Sequence, residues 1–291
     1  MTDDTDDAAA GWFAGLEAVD TEAASRAIRE ATAVEPAEWP RIAVETGFVG
    51  SEAEYYDLLH EVTIHSTRQE ARAREQADDK QLLHAVRAMD DVTRTANELA
   101  ERLSEWAGTL FDDAETGIKG ARALAEREPS TPVEARVISL AERVDGLTAE
   151  ADDLQAFIER QAPEIAPNLS EMAGAVLAAR LIALAGGLEQ LAKKPSGTVQ
   201  VLGAEDALFA HLAGRGGSPK HGIIYTHEHV SGTRPEDRGS ASRAFAGKLS
   251  IAARIDHYSG ELKPEIHDEL DERMSTIRAR AEADSNEEPN Q

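Results

Sequence analysis

Gly214-Arg215-Gly216-Gly217-Ser218-Pro219-Lys220 has the glycines and the lysine of a loop that could cradle a phosphate. A nucleotide loop needs G-x-x-x-x-G-K-[ST] opening a helix, whereas Pro219 precedes this lysine and His221-Gly222 follows it. Nucleotide binding is set aside on that mismatch. His227-Glu228-His229, with His211 and His221, puts four histidines within 19 residues and invites a zinc site. In an extended segment His227 and His229 would face one side, so two ligands are geometrically available. No third ligand of standard spacing lies nearby in sequence, and the helical H-E-x-x-H pattern is absent. Histidines exposed on a loop that faces RNA or protein are the favoured reading, with no metal and no cofactor; a metal-dependent hydrolase built on His227 and His229 is the competitor. Gly239-Ser240-Ala241-Ser242 lacks the G-x-S-x-G pattern of a nucleophile elbow, and its serines read as helix caps.

What remains is a basic helix. Arg238, Arg243, Lys248 and Arg254 run through an Ala-, Leu- and Ile-rich segment. Relative to Arg238 the other three lie about 140°, 280° and 160° around a helix, so they form no single stripe. Arg238 and Arg243 are assigned to phosphate, and others to structural support, with Asp256 as a candidate partner. From composition alone, a solvated charged helix and an RNA-binding one are equally weighted, and the local charge balance favours phosphate. Residues 203 to 260 hold seven Lys/Arg against six Asp/Glu, a balance of +1, so the rest of the chain carries -26 of the net -25.

The elements that must position these residues are helices. Hydrophobic residues make up 41% of the chain but aromatic ones only 4%, which favours helix-on-helix packing. A helix near Thr21 to Thr32, a stretch interrupted by Pro36 and Pro40, and a helix from Ser51 with a capping box to Glu54 make a small N-terminal region. From Asp78, Leu82, Val86, Met89, Thr93, Ala96, Leu99, Leu103, Trp106 and Leu110 recur at steps of three and four. That spacing predicts a helix of about 34 residues, roughly 50 Å long. Leu140, Val144, Leu147, Ala151, Leu154 and Ile158 step strictly by four and three, the period of a coiled-coil seam. The break around Pro129 and Pro132 turns the two into an antiparallel hairpin. After Pro163 and Pro167, Asn168 to Ala192 reads as one core helix with many small residues, followed by helices at Ala204 to Leu212, Arg238 to Asp256 and Pro264 to Ala281.

The charge has a second reading: an acidic surface on an otherwise ordinary pattern fits a high-salt cytoplasm. With no cysteine there is neither a disulfide framework nor a thiol nucleophile. Met1 to Ala10 is acidic, unlike a signal peptide, and the most apolar run, Ala173 to Leu188, is 16 residues long and contains Arg180. Too short for a bilayer span, that run predicts a soluble, cytoplasmic protein without membrane contact.

Gly203-Ala204-Glu205-Asp206-Ala207-Leu208-Phe209 resembles the GAEKALF motif of the Nop domain. Lys220-His221-Gly222-Ile223-Ile224-Tyr225 resembles the K-x-G-x-I-[FY] segment that follows it, and Arg238 to Ala244 together with Lys248 to Glu261 resembles its RGKxAR and K-x-x-x-A-x-R-x-D-x-[YF] run. Ile165 to Leu169 and the arm start, Leu83 to Leu110, are similar as well, so the likeness covers roughly residues 75 to 262. On these motifs the chain resembles the archaeal Nop-domain proteins of box C/D ribonucleoproteins, relatives of the eukaryotic nucleolar Nop proteins and the spliceosomal Nop-domain protein.

That resemblance implies a mainly α fold: a small N-terminal α/β or α region, a long antiparallel helical coiled-coil hairpin and a C-terminal helical Nop domain. The implied domains are 11–75 (fibrillarin-binding), 76–165 (arm) and 166–280 (Nop domain), between disordered acidic ends at 1–10 and 281–291. The implied role is a non-enzymatic scaffold that binds box C/D guide RNA with its kink-turn-binding, ribosomal-protein-like subunit. It would position the fibrillarin methyltransferase for guided 2'-O-methylation of rRNA, with tRNA as a further target. The RNA- and particle-binding residues are Gly203, Ala204, Glu205, Lys220, His221, Arg238, Gly239, Ser240, Arg243, Lys248 and Arg254. Self-association through the coiled coil would use Leu140, Val144, Leu147, Leu154 and Ile158. The sequence departs from the family where Asp206 replaces Lys, Ala210 replaces Arg and Ser240 replaces Lys; in molar salt, phosphate contacts gain little from counterion release. The N-terminal region is also short for the family. A splicing-type particle protein without a methyltransferase and a coiled-coil adaptor without RNA contact are the alternatives.

Overall fold

The computed structural model describes residues 11–17, 20–31 and 37–286, with side chains as far as Ala279. The expected disordered N-terminus and residues 287–291 lie outside the described residues. Among those described there is no strand, so the N-terminal region is helical. The chain divides into two compact units, one ending at Ala77 and the other starting at Asp78.

In the first unit, α1 (Thr21–Glu30) starts where the Asp20 carboxylate accepts from the Ala23 N–H at 3.0 Å. Pro40 sits in the first turn of α2 (Trp39–Glu45), where its missing N–H leaves no gap in the ladder. Ser51 caps α3 (Glu52–Glu75) by accepting from the Glu54 N–H at 3.2 Å, and the Glu54 carboxylate accepts from the Gly50 N–H. The small core is aromatic. Phe13 stacks on Phe48 at 5.1 Å and meets the edge of Tyr55, whose hydroxyl accepts from the Trp12 indole N–H at 3.1 Å.

The second unit begins with α4 (Asp78–Ala107), α5 (Gly117–Ala125) and α6 (Pro132–Ile165). Helices α4 and α6 run antiparallel: Leu82, Val86 and Met89 share a core with Ile158 and Ala162, while Ala100, Leu103 and Ala107 share another with Val137, Ala141 and Val144. The helix predicted to reach Leu110 ends at Ala107, because the chain turns there into α5, whose Ala121 and Leu124 fill the far end of the arm. Trp106 and Leu110, predicted on the seam, are exposed instead. Helix α6 runs through Pro163 to Ile165 and is stopped at Ala166, the residue before Pro167, where the next ring disfavours helical backbone.

The single core helix expected from Asn168 to Ala192 is three: α7 (Pro167–Ala173), α8 (Ala175–Ala185) and α9 (Leu188–Ala192). Gly174 (φ 76°) and Gly186 (φ 92°) break it in the left-handed region, and α7 and α8 meet at a 119° bend. No single described helix is long and apolar enough to cross a membrane. After α10 (Ser196–Val201) and α11 (Glu205–Leu212) come a single 3-10 turn, Ile223–Thr226, and one helical turn, α12 (Glu228–Ser231).

Helix α13 (Arg238–Tyr258) occupies the centre, with Ala241, Phe245, Ala246, Leu249, Ala252 and Ala253 all buried. Ile266, Leu270, Met274 and Ile277 of α14 (Glu265–Asn286) pack against the same core. Helix α14 extends past Ala281 to Asn286, into the stretch expected as a disordered tail; Glu282 and Ala283 are good helix formers and no Gly or Pro interrupts the run.

One core thus runs from Leu82 to Ile277, joining the root of the arm to everything after it. Asp256 locks it. Its carboxylate accepts from the Asn168 backbone N–H (2.9 Å), the Asn168 amide (2.6 Å) and the Leu169 N–H (2.9 Å), and the Asn168 side-chain oxygen accepts from the Lys263 N–H at 2.7 Å. Burial pushes the Asp256 carboxyl above the usual range, and the bonds from Asn168 and Leu169 oppose that rise. Asp256 was expected to pair with basic residues of its own helix; it is spent instead on the start of α7.

Candidate nucleic-acid interface

The site is assembled by a loop that docks on the first turn of α13. The Gly222 N–H donates to the Gln200 carbonyl and the Ile223 N–H to the Leu202 carbonyl, each at 2.8 Å. The Gln200 amide donates to the Lys220 carbonyl at 2.6 Å. A Cβ on Gly222 would lie 2.0 Å from the Leu202 oxygen, so only glycine lets the two backbones approach this closely. The exposed loop before it therefore returns to a fixed anchor, with Lys220 presented beside it.

Beyond the anchor, His221 stacks on Tyr225 with ring centres 4.5 Å apart, and the Arg238 guanidinium lies over the Tyr225 ring at 5.4 Å. Burial, helped by the charge of Arg238, pulls the His221 pKa below its ordinary value. Arg238 also donates to the Thr233 carbonyl at 3.0 Å and toward the Ser231 carbonyl at 3.5 Å. It is half-buried and holds its own loop together. A side chain on Gly239 would meet Arg243 Nη1 at 3.8 Å and Lys220 Cδ at 3.9 Å, so the bare glycine marks where these two cations converge. Arg243 is exposed and donates to the Ser240 hydroxyl at 3.3 Å.

The structure therefore gathers Lys220, His221, Arg238, Gly239, Ser240 and Arg243. Gly203 (φ 83°) and Ala204 form the turn into α11, where the Glu205 carboxylate accepts from the Gly203 N–H at 2.9 Å and so faces its own backbone. Lys248 pairs with Glu269 of α14, and Arg254 donates to the Ala192 carbonyl at 3.1 Å and toward the Lys194 carbonyl at 3.4 Å, capping the end of α9. These two are thus held by other elements, on contacts that tie α14 and α9 to α13. Tyr225 was read only as part of a motif; an aromatic next to two isoleucines inside a Gly/Pro-rich loop was the available signal. Helix α11 buries none of its residues, leaving Phe209 and Leu212 exposed at 64% and 72% beside this surface's leading turn.

Along the arm, Val144 and Ile158 are buried inside the hairpin, Leu140 and Leu154 are half-buried against its two cores, and Leu147 is half-buried. Among the described residues no three His, Asp or Glu side chains are grouped to hold a metal ion.

Chemically, the gathered set offers three cations (Lys220, Arg238 and Arg243), a hydroxyl and a stacked aromatic pair, which together suit a phosphate backbone and an unstacked base. Fold and loop define a class: a mainly helical module, rooted on an antiparallel helical arm, that carries a cationic loop on the first turn of its central helix. The model of the Nop family, described as "snoRNA binding domain, fibrillarin", matches residues 96–276, more than half of the chain, and the chain belongs to that family. It is 32% identical over 275 residues to an uncharacterized NOP5 family protein of Methanocaldococcus jannaschii, covering 82% of this chain and 66% of that one. It is likewise 32% identical over 228 residues to nucleolar protein 56 of Saccharomyces cerevisiae, covering 64% and 45%. The chain spans less than two thirds of the length of either relative. A solved structure of a fibrillarin/Nop5p complex shares the fold with a TM-score of 0.52 at 23% identity, covering 88% of this chain and 92% of that one.

Proposed function

We propose that the chain is the non-catalytic scaffold of a cytoplasmic box C/D ribonucleoprotein particle. Its C-terminal module binds kink-turn guide RNA together with a small kink-turn-binding subunit. The N-terminal unit holds the fibrillarin methyltransferase, and the arm pairs two copies of the chain. The particle 2'-O-methylates rRNA where the guide pairs, and the scaffold's contribution is the distance and orientation of the enzyme. The observation that carries this reading is the convergence of Lys220, Arg238, Ser240 and Arg243 around Gly239, within the segment that matches the family. The local balance of +1 in a chain of net charge -25 supports it, since phosphate contact needs cations kept clear of carboxylates.

The test is affinity purification of the chain from its host in molar salt, with sequencing of bound RNA and identification of bound proteins. Guide RNAs with kink-turns and a methyltransferase are expected; a purified chain that carries neither would overturn the reading. Kink-turn RNA without a methyltransferase would point to the splicing-type alternative.

A further inference from the structure

A cleft of about 470 Å³ opens between α7, α12 and α14, and His227 and His229 form part of its wall. The two imidazoles lie 4.6 Å apart, and His227 lies 4.6 Å from the ring of Phe245, which is fully buried in α13. His227 is the side-chain cap of α12: its Nδ1 accepts from the His229 backbone N–H at 3.2 Å. Only a neutral ring can accept there, because protonation places a hydrogen on the same nitrogen, facing another N–H. His229 Nδ1 is buried without a hydrogen-bond partner, and its Nε2 lies 3.9 Å from the Asp271 carboxylate of α14. Arg278 of α14 reaches toward the Glu228 carbonyl at 3.5 Å.

We propose that His227 and His229 form a proton-sensitive latch, which holds α12 and α14 against the central helix when both rings are neutral and releases them when the rings are charged. The charged and titratable groups around the pair come from every neighbouring element. They are Glu228 on α12, Glu171 on α7, His267, Asp268, Asp271 and Arg278 on α14, and, on the far side of His227, Glu159 of α6 and Arg180 of α8. Burial sets the net direction. It pushes the His227 pKa down, with the neighbouring His229 adding to the shift and Glu228 opposing it. It pushes His229 down as well, where Asp271 opposes and Arg278 assists. A histidine with a lowered folded-state pKa contributes stability above its unfolded value of about 6.5 and loses it as the pH falls below that value toward the folded one. The latch is therefore closed at neutral pH and opens on mild acidification.

Backbone amide exchange of the full chain between pH 7.5 and 5.5, corrected for the intrinsic rate, tests this. Protection of α12 and α14 should fall relative to α4 by up to about a hundredfold per pH unit, the limit for two protons. His227→Asn combined with His229→Phe keeps a capping oxygen that no proton in this range can remove, so its profile should be flat. His227→Asn alone, the milder change, should reduce the limiting slope to about tenfold per unit. Wild-type protection that stays constant over this range, or a fall of the same size in the variants, would overturn the proposal.

Discussion

Arg238 and Arg243 sit five residues apart at the start of one helix and use their charges differently. Arg238 is engaged by two carbonyls and the Tyr225 ring, whereas Arg243 stands exposed beside Lys220. Arg243→Ala should weaken binding to a kink-turn complex and flatten its salt dependence by about one charge, with no change in melting temperature. Arg238→Ala should weaken binding too, but also lower the melting temperature, since it strips its own loop of bonds worth about 1 to 3 kcal/mol. Titration calorimetry at two salt concentrations beside a thermal melt separates the two; equal melts for both variants would refute the division of labour. Asp256→Ala should be the more damaging change. It leaves three buried donors of Asn168 and Leu169 without an acceptor, at a cost of about 3 kcal/mol or more, readable as a shift in the denaturant midpoint.

At the level of elements, the loop depends on one backbone approach. Gly222→Ala forces a carbon against the Leu202 carbonyl and should free the loop while the helical core stays folded. Faster proteolysis between residues 213 and 221, with unchanged helix content, is the expected result; an unchanged cleavage rate would show that the loop is held elsewhere. The arm separates two kinds of seam position. Leu154 packs against the main core, so Leu154→Asp should unfold the arm root, whereas Leu147→Asp should abolish self-association and spare the fold. Light scattering paired with circular dichroism checks both.

The arm helices were legible in the sequence from apolar residues at steps of three and four, and their antiparallel sense from the short break around Pro129 and Pro132 that separates them. Helix α5 was not, since nine residues between two long helices give no distinct period. The breaks at Gly174 and Gly186 were misread because small residues mark close packing and left-handed turns alike. At the site, residue types were legible but partners were not: nothing local in the sequence says that Lys248 finds Glu269, or that Arg254 caps a helix about 60 residues earlier.

For the whole molecule, a net charge of -25 makes the folded state repel itself. Raising potassium chloride from about 0.1 M to 1 M shortens the screening length from about 10 Å to about 3 Å, so the melting temperature should climb over that range. A melting temperature that holds level or drops would argue that the acidic residues are locally balanced by ion pairs such as Arg127–Asp113 and Arg180–Asp90. The continuous core from Leu82 to Ile277 also constrains the order of events during synthesis. The first unit can complete its aromatic core as soon as residue 77 has left the ribosome. The root of the arm must wait about a hundred residues longer, until α6 and α8, which pack on α4, have both emerged. A nascent chain stalled between those points exposes the apolar face of α4, and that interval is when a chaperone has something to hold.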